Sequence, residues 1–314
     1  MYKNTFKLLL ANFTKVWRVL LYVLVTGAIT IGLAIAVGFP IYKVLLDRGI
    51  FVEFSDYYME FINHLDLLGF FTNIGLWMER FVEVIIENIS TLWLPITGLV
   101  LMFIVIGAIL VSVYKFATTS CVNYYMNSSV NHNFGSALVS HFTKNIGFQI
   151  LNLIILLPIN LGIAYLVIMS LNMLTNANLM FWAPFVAMAI FVVLNALKVT
   201  IFGGWIPAMI VKNKNVFSGL KECFRVMGRR FIYTFGSALA MILTLVFVNI
   251  FGGICTFGVG LIITIPATLV AIQIFNMVAY YTAIGQRYYV DATNVCAPKR
   301  QEFTDKFNNH KYIV

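Results

Sequence analysis

Residues 17–39 read WRVLLYVLVTGAITIGLAIAVGF, and no charged residue follows Arg18 until Lys43. About twenty apolar residues wound as an α-helix reach roughly 30 Å, the thickness of a bilayer's hydrocarbon core. In that medium only helices and closed barrels satisfy their own backbone. Barrel strands need only about ten residues of alternating character, so a run of this length predicts a helix. It is too long for a signal-peptide core and has no small-residue cleavage site, so it is expected to be retained as a span from Trp17 to Phe39, closed by Pro40.

The rest of the chain fits that beginning. Of 314 residues, 61% are hydrophobic and 11% charged, against roughly 25% charged in a soluble domain. Mean hydropathy is +0.90. Twenty-one bases and twelve acids cannot coat a globule of this size, so most of the surface is expected to face lipid. The fold class is therefore all-α and polytopic. Cys121, Cys223, Cys255 and Cys296 show no CxxC spacing, which suggests neither a zinc site nor a disulfide framework. Plentiful Lys, Asn, Ile, Phe and Tyr with only seven Pro suit an AT-rich bacterial genome, hence a bacterial plasma membrane.

Five further spans are expected: Leu92 to Val113, Phe148 to Leu171, Phe181 to Ile210, Phe231 to Phe251, and Thr256 to Ile284, the last kinked at Pro266. Gly203, Gly204 and Pro207 interrupt the fourth span, and the short Asn172–Asn178 turn makes spans three and four a hairpin. Residues 1–286 then form a six-span membrane domain, followed by a polar tail at 287–314 too short to fold alone. The segments 1–18, 115–147, 212–230 and 287–314 hold nearly all the bases. Eight of the twelve acids lie in 41–90: Asp47, Glu53, Asp56, Glu60, Asp66, Glu79, Glu83 and Glu87. Lys and Arg are retained on the cytosolic side, so both termini are expected inside and the acidic segment outside. Within 51–90 the apolar residues recur at helical spacing, as expected of two amphipathic helices on the outer interface.

Three basic entries look alike: FKLLLANFTKVWRVLLY (6–22), FGSALVSHFTKNIGFQIL (134–151) and FSGLKECFRVMGRRFIY (217–233). Each has an aromatic, then a second Phe seven or eight residues on (Phe13, Phe142, Phe224), basic residues and a span. Such segments lie as amphipathic helices among headgroups, which makes Lys221, Arg225, Arg229 and Arg230 candidates for gripping anionic lipid of the inner leaflet. Ordinary positive-inside flanking sequence explains the same bases. Three helix pairs introduced in this way predict a pseudo-repeated bundle.

The stretch WIPAMIVKNKNVFSGLKECFRVMGRRF (205–231) resembles a recurring pattern of a broad family of bacterial six-helix membrane proteins. That family includes the membrane domain fused to some glycerophosphodiester phosphodiesterases and its stand-alone relatives. In the fused proteins a separate soluble domain does the catalysis, and this chain has no room for one. The resemblance implies a fold and no enzymatic activity.

Lys198 falls near the middle of span four with Asn195 three residues earlier on the same face. A charge at the bilayer centre costs about 3 kcal/mol on insertion scales, so it usually faces a cavity or a partner. No acid lies in any other span, which removes a buried ion pair as an explanation. Two readings stand: a substrate or anion contact inside the bundle, or a side chain that snorkels past a span ended early by Gly203–Gly204. Amides also recur in the spans: Gln149, Asn152, Asn160, Asn249, Gln273 and Asn276. They could line a polar pathway; interhelical hydrogen bonding is the commoner use.

Glu79, Glu83 and Glu87 stack at i, i+4, i+8 and could take a divalent cation, but a solvated helix face accounts for them. His132 and His141 are not at metal-ligand spacing, and no HExxH, GxSxG, Walker or dinucleotide-binding glycine pattern occurs. Neither a catalytic residue, a metal site nor a cofactor is therefore expected. The expected partners are membrane lipids, anionic at the inner leaflet, with a protein partner or a homo-oligomer possible and nucleic acid excluded. The expected function is a non-enzymatic membrane protein that organises lipid or a membrane partner; the alternative is a transporter of a small solute or lipid.

Overall fold

The computed structural model describes residues 1–103, 108–130, 132–177, 179, 181–291 and 294–297. Among these the chain is helical throughout apart from one two-stranded hairpin. In chain order the helices are α1 (Tyr2–Ala11), α2 (Thr14–Asp47), α3 (Ile50–His64), α4 (Leu67–Glu87), α5 (Ile89–Met102), α6 (Ala108–Ser128) and α7 (Phe134–Ser140). They continue as α8 (Phe142–Asn176), α9 (Ala183–Phe202), α10 (Trp205–Val211), α11 (Val216–Gly228), α12 (Phe231–Cys255) and α13 (Leu261–Ile284). Strands β1 (Tyr288–Tyr289) and β2 (Val295–Cys296) pair antiparallel.

Five helices are long and apolar enough to cross a membrane: Thr14–Asp47, Phe142–Thr175, Ala183–Val211, Phe231–Cys255 and Leu261–Ile284. A sixth is reached if Gly69–Glu87 and Ile89–Met102, which meet at 107°, count as one broken span. The chain is thus an all-α polytopic membrane protein. The expected second span at 92–113 falls on α5 and the start of α6, with 104–107 outside the described residues.

Pro40 was expected to close the first span, yet α2 runs through it to Asp47. Proline removes one backbone donor, a loss that long apolar helices absorb by local adjustment; Pro158 and Pro266 lie inside α8 and α13 in the same way. What ends this helix is Gly49, whose φ of +74° turns the chain into α3.

The chain divides into two compact units, one made of Met1–Val23 with Val111–Val314 and the other of Leu24–Leu110. In the second unit α3 and α4 pack together around Leu45, Ile50 and Val84, and Trp77 Nε1 donates to the Ile50 carbonyl at 2.9 Å. These are the two amphipathic helices expected of the acidic segment.

In the first unit α13 is the central helix. Its apolar window is 44% buried, against 6–22% for the other four long helices, which leave large apolar side chains exposed. Helix α9 packs against α8 on one side and α12 on the other, while α1 and α11 pack on α13.

The repeat is visible as three short-helix, turn, long-helix entries: α1–α2, α7–α8 and α11–α12. The turn residues share one backbone conformation: Asn12 (φ −112°, ψ 24°), His141 (φ −112°, ψ 12°) and Arg230 (φ −122°, ψ 30°). Each is followed by a phenylalanine, Phe13, Phe142 and Phe231. The third entry therefore registers on Phe231. Phe224, which spacing alone had matched to Phe13, instead packs edge-on to Phe202 at 5.6 Å.

After α13, Gly285 takes a left-handed φ of +71° and turns the chain into the hairpin. Asn4 of α1 donates to the Tyr288 hydroxyl at 2.9 Å and to Cys296 Sγ at 3.3 Å. The start of the expected tail is thus part of the first unit; residues 298–314, including His310, lie outside the described residues.

Candidate functional site, an amide- and lysine-lined cavity

Helix α9 sets Asn195 and Lys198 one turn apart on one face. Lys198 Nζ donates to Asn195 Oδ1 at 2.7 Å and, across the seam to α8, to Asn160 Oδ1 at 2.9 Å. The ammonium is thereby held by two side-chain carbonyls between helices. Gly203 and Gly204 form only a two-residue turn, after which α10 continues the span.

Lys198 lines a cavity of about 590 Å³ between α6, α8, α9, α10, α12 and α13, within the usual range of roughly 300–1,000 Å³ for ligand pockets. Asn195, Asn152, Asn249, Gln273 and Asn276 line it too, so it gathers every pathway candidate except Asn160, which reaches it through Lys198. Leu156, Phe191, Ile242, Leu245, Ile250 and Ile272 supply apolar wall. Among the described residues no acidic side chain is in the lining.

The amides differ in role. Asn249 Nδ2 bridges the Leu245 carbonyl and Thr268 Oγ1, both at 2.8 Å, tying α12 to α13. Gln273 is 5% exposed and faces Thr119 of α6 at 3.5 Å, and Asn152 donates to Gln149 on its own helix at 3.4 Å. These are the interhelical and local bonds that amides commonly form in membranes. Asn276 Oδ1 is buried with no donor among the described residues, as is Asn249 Oδ1.

Gly203 lies against Asn276 of α13: a side chain there would collide with Asn276 Oδ1 and with the Val199 carbonyl of its own helix. At the basic end of the cavity Phe148 and Trp205 meet edge to face at 4.7 Å, with Phe116 behind at 5.3 Å from Phe148. Trp205 is fixed by its own donor, Nε1 to the Val216 carbonyl at 3.0 Å.

Sequence reasoning missed Lys115. It was counted with the basic 115–147 segment, but it lies within α6 and lines the cavity. The available signal was the run Thr118, Thr119, Ser120 and Cys121 that follows it. These small polar residues are all buried, as a packed helix requires and a flanking loop does not.

The four headgroup candidates lie elsewhere, on α11 and its turn. Lys221 is exposed; Arg229 and Arg230 line a shallow surface groove with Phe231 and Tyr233. Arg225 is exposed but bound to Glu222, a residue that sequence reasoning did not single out. Glu222 is 3% exposed and also binds Lys212 and, at 3.4 Å, Lys214. Burial would raise its pKa, but hydrogen bonds from Lys212 and Arg225, and then their charges, prevail and hold it at about 2.

Of the acidic stripe on α4, Glu83 pairs with Arg80 at 2.8 Å and Glu87 with Arg48 at 3.6 Å. His132 stacks on Tyr124 at 4.1 Å. Among the described residues no three His, Cys, Asp or Glu side chains are grouped as metal ligands. Comparison with known proteins returned no matching family model, no matching curated protein and no matching solved structure.

Proposed function

We propose that the chain is a non-enzymatic, multi-pass protein of a bacterial plasma membrane that organises lipid, with its cavity as the element that holds a lipid-like molecule. The observation that carries this reading is the cavity itself: largely apolar walls with a few convergent polar groups, opening among helices whose outer faces contact lipid. The acidic 41–90 segment faces outward and α1, α7 and α11 lie at the cytosolic leaflet, as the charge asymmetry supports. There Lys221, Arg229 and Arg230 attract acidic headgroups. A protein partner or a second copy of the chain fits the same role. The likeness of residues 205–231 to the bacterial six-helix family supports this placement.

The second reading, transport of a small solute or lipid, is favoured by one observation: Lys198 and its amides sit inside a span and line a cavity. Mass spectrometry of the protein in mild detergent, followed by delipidation and proteoliposome flux, separates the two. A retained lipid whose removal lowers Tm, with no flux, supports the first. Flux lost in Lys198→Met supports the second. No retained lipid, an unchanged Tm and no flux would sink both.

A further inference from the structure

Among the described residues, the cavity is lined by two ammonium groups and no carboxylate. Lys115 and Lys198 both line it. Neither is in an ion pair among the described residues, and Lys115 also lacks a hydrogen-bond partner there. Two uncompensated charges among apolar helices are expensive, so the site is complete only with an anion between them.

Charge and donor number narrow its chemistry. An ammonium has three donors. Lys198 spends two on Asn160 and Asn195, leaving one, and Lys115 has all three. The pair therefore suits an acceptor with several oxygens and close to two negative charges. A carboxylate or a phosphodiester carries one charge and leaves one lysine uncompensated. A phosphate monoester carries about −1.5 to −2 at pH 7 with three terminal oxygens. The rest of the wall carries a few amides but is mostly apolar, and it is long: from Phe191 to Ile206 it follows α9 and α10 for about 20 Å, at 1.5 Å per residue. That length takes an apolar tail beside the head.

The geometry points to a phosphate monoester bound between Lys115 and Lys198, with any acyl portion lying towards Phe191 and Ile250. The inference rests on reading the cavity as a lipid-holding site and specifies what that site recognises.

The test measures ligand-dependent Tm shifts and binding by native mass spectrometry on the full chain in detergent. The probes are lysophosphatidic acid, lysophosphatidylcholine of the same chain length, the corresponding fatty acid, and inorganic phosphate. Lysophosphatidic acid is expected to bind and stabilise. Lys115→Gln and Lys198→Gln should each weaken it about tenfold or more, the loss of a charge-assisted contact, while the exposed Lys7→Gln should leave it unchanged. Binding of inorganic phosphate as tight as that of lysophosphatidic acid would keep the site and make its ligand a free phosphate. If lysophosphatidylcholine or the fatty acid binds as tightly and the lysine variants are silent, the phosphate assignment fails while the lipid-holding reading stands. If no probe binds, both fail. Should a Gln variant not fold, amine-reactive labelling of the unaltered chain decides instead. Protection of Lys115 and Lys198 by lysophosphatidic acid but not by lysophosphatidylcholine supports the assignment, and equal protection overturns it.

Discussion

Lys198 Nζ donates to Asn160 Oδ1 at 2.9 Å, joining the middle of the Ala183–Val211 span to the middle of α8. The bond does two things at once: it cross-links two spans and spends one proton of a cation that would otherwise be bare. Interhelical polar bonds in membranes average about 0.6 kcal/mol, and a charged donor should exceed that. A double-mutant cycle on Asn160→Ala and Lys198→Met is expected to give a coupling of about 1 kcal/mol in detergent unfolding. Lys198→Met alone should keep or raise Tm, because it removes a costly charge and retains most of the stem. Zero coupling would mean that the two side chains do not meet in solution.

Glu222 ties α11 to the end of α10 through Lys212 and pairs with Arg225 on its own helix. Its carboxyl titrates at about 2, below the ordinary 4.5. The stabilisation is therefore complete above about pH 4.5 and is lost as pH falls from there through about 2. Glu222→Gln should cost about 2 kcal/mol at neutral pH, discounted because Lys212 and Arg225 are partly exposed and screened. The variant's Tm should also lose the acid-limb dependence of the unaltered chain. Arg225→Gln is expected to act mainly on stability, whereas Lys221→Gln should act on vesicle binding alone, by about 1 kcal/mol for acidic lipid.

Gly203 lies against Asn276 and the Val199 carbonyl. The carbonyl belongs to α9 itself and cannot yield as a flexible side chain can, so Gly203→Ala should distort the end of α9, displace Asn276 and cost about 1–3 kcal/mol. Gly219→Ala meets chiefly the flexible Met209 side chain, its Cγ at 2.7 Å, and should cost less. Comparing the two Tm values checks the ranking; equal losses would mean that the backbone contact at Gly203 adds nothing.

The proposed orientation is open to labelling with a membrane-impermeant thiol reagent in a cysteine-free background. His64→Cys, on the exposed end of α3, should label in intact cells. Asn213→Cys, in the exposed turn before α11, should label only after permeabilisation. The opposite pattern would invert the map.

Much of the fold was readable because hydrophobic runs of span length and basic flanks are local signals. The class, five of the spans and the helical character of 51–90 all followed from them. What was not readable depended on packing. Pro40 looked like a terminator because a proline's effect is set by what surrounds the freed carbonyl. Phe224 looked like the counterpart of Phe13 because spacing counts residues, whereas the turn at Arg230 sets the register seven residues further on, at Phe231. Within the site, the amides and Lys198 could be nominated one helix at a time. That they converge with Lys115 on one cavity could not, since Lys115 reads as an ordinary flanking base until α6 is seen to continue past it.

The bonds from Asn4 to Tyr288 and Cys296 join residues up to 292 positions apart. Tyr2 likewise meets Thr244 of α12 at 2.9 Å, and α1 packs chiefly on α13. Helix α1 therefore leaves the ribosome long before any of these partners exists. While the chain is being made, α1 has only the membrane surface to rest on, and its docking is among the last events of assembly. Insertion and packing run in different orders here, so a nascent chain stalled before α12 would carry its earlier spans yet keep its first helix undocked and open to protease.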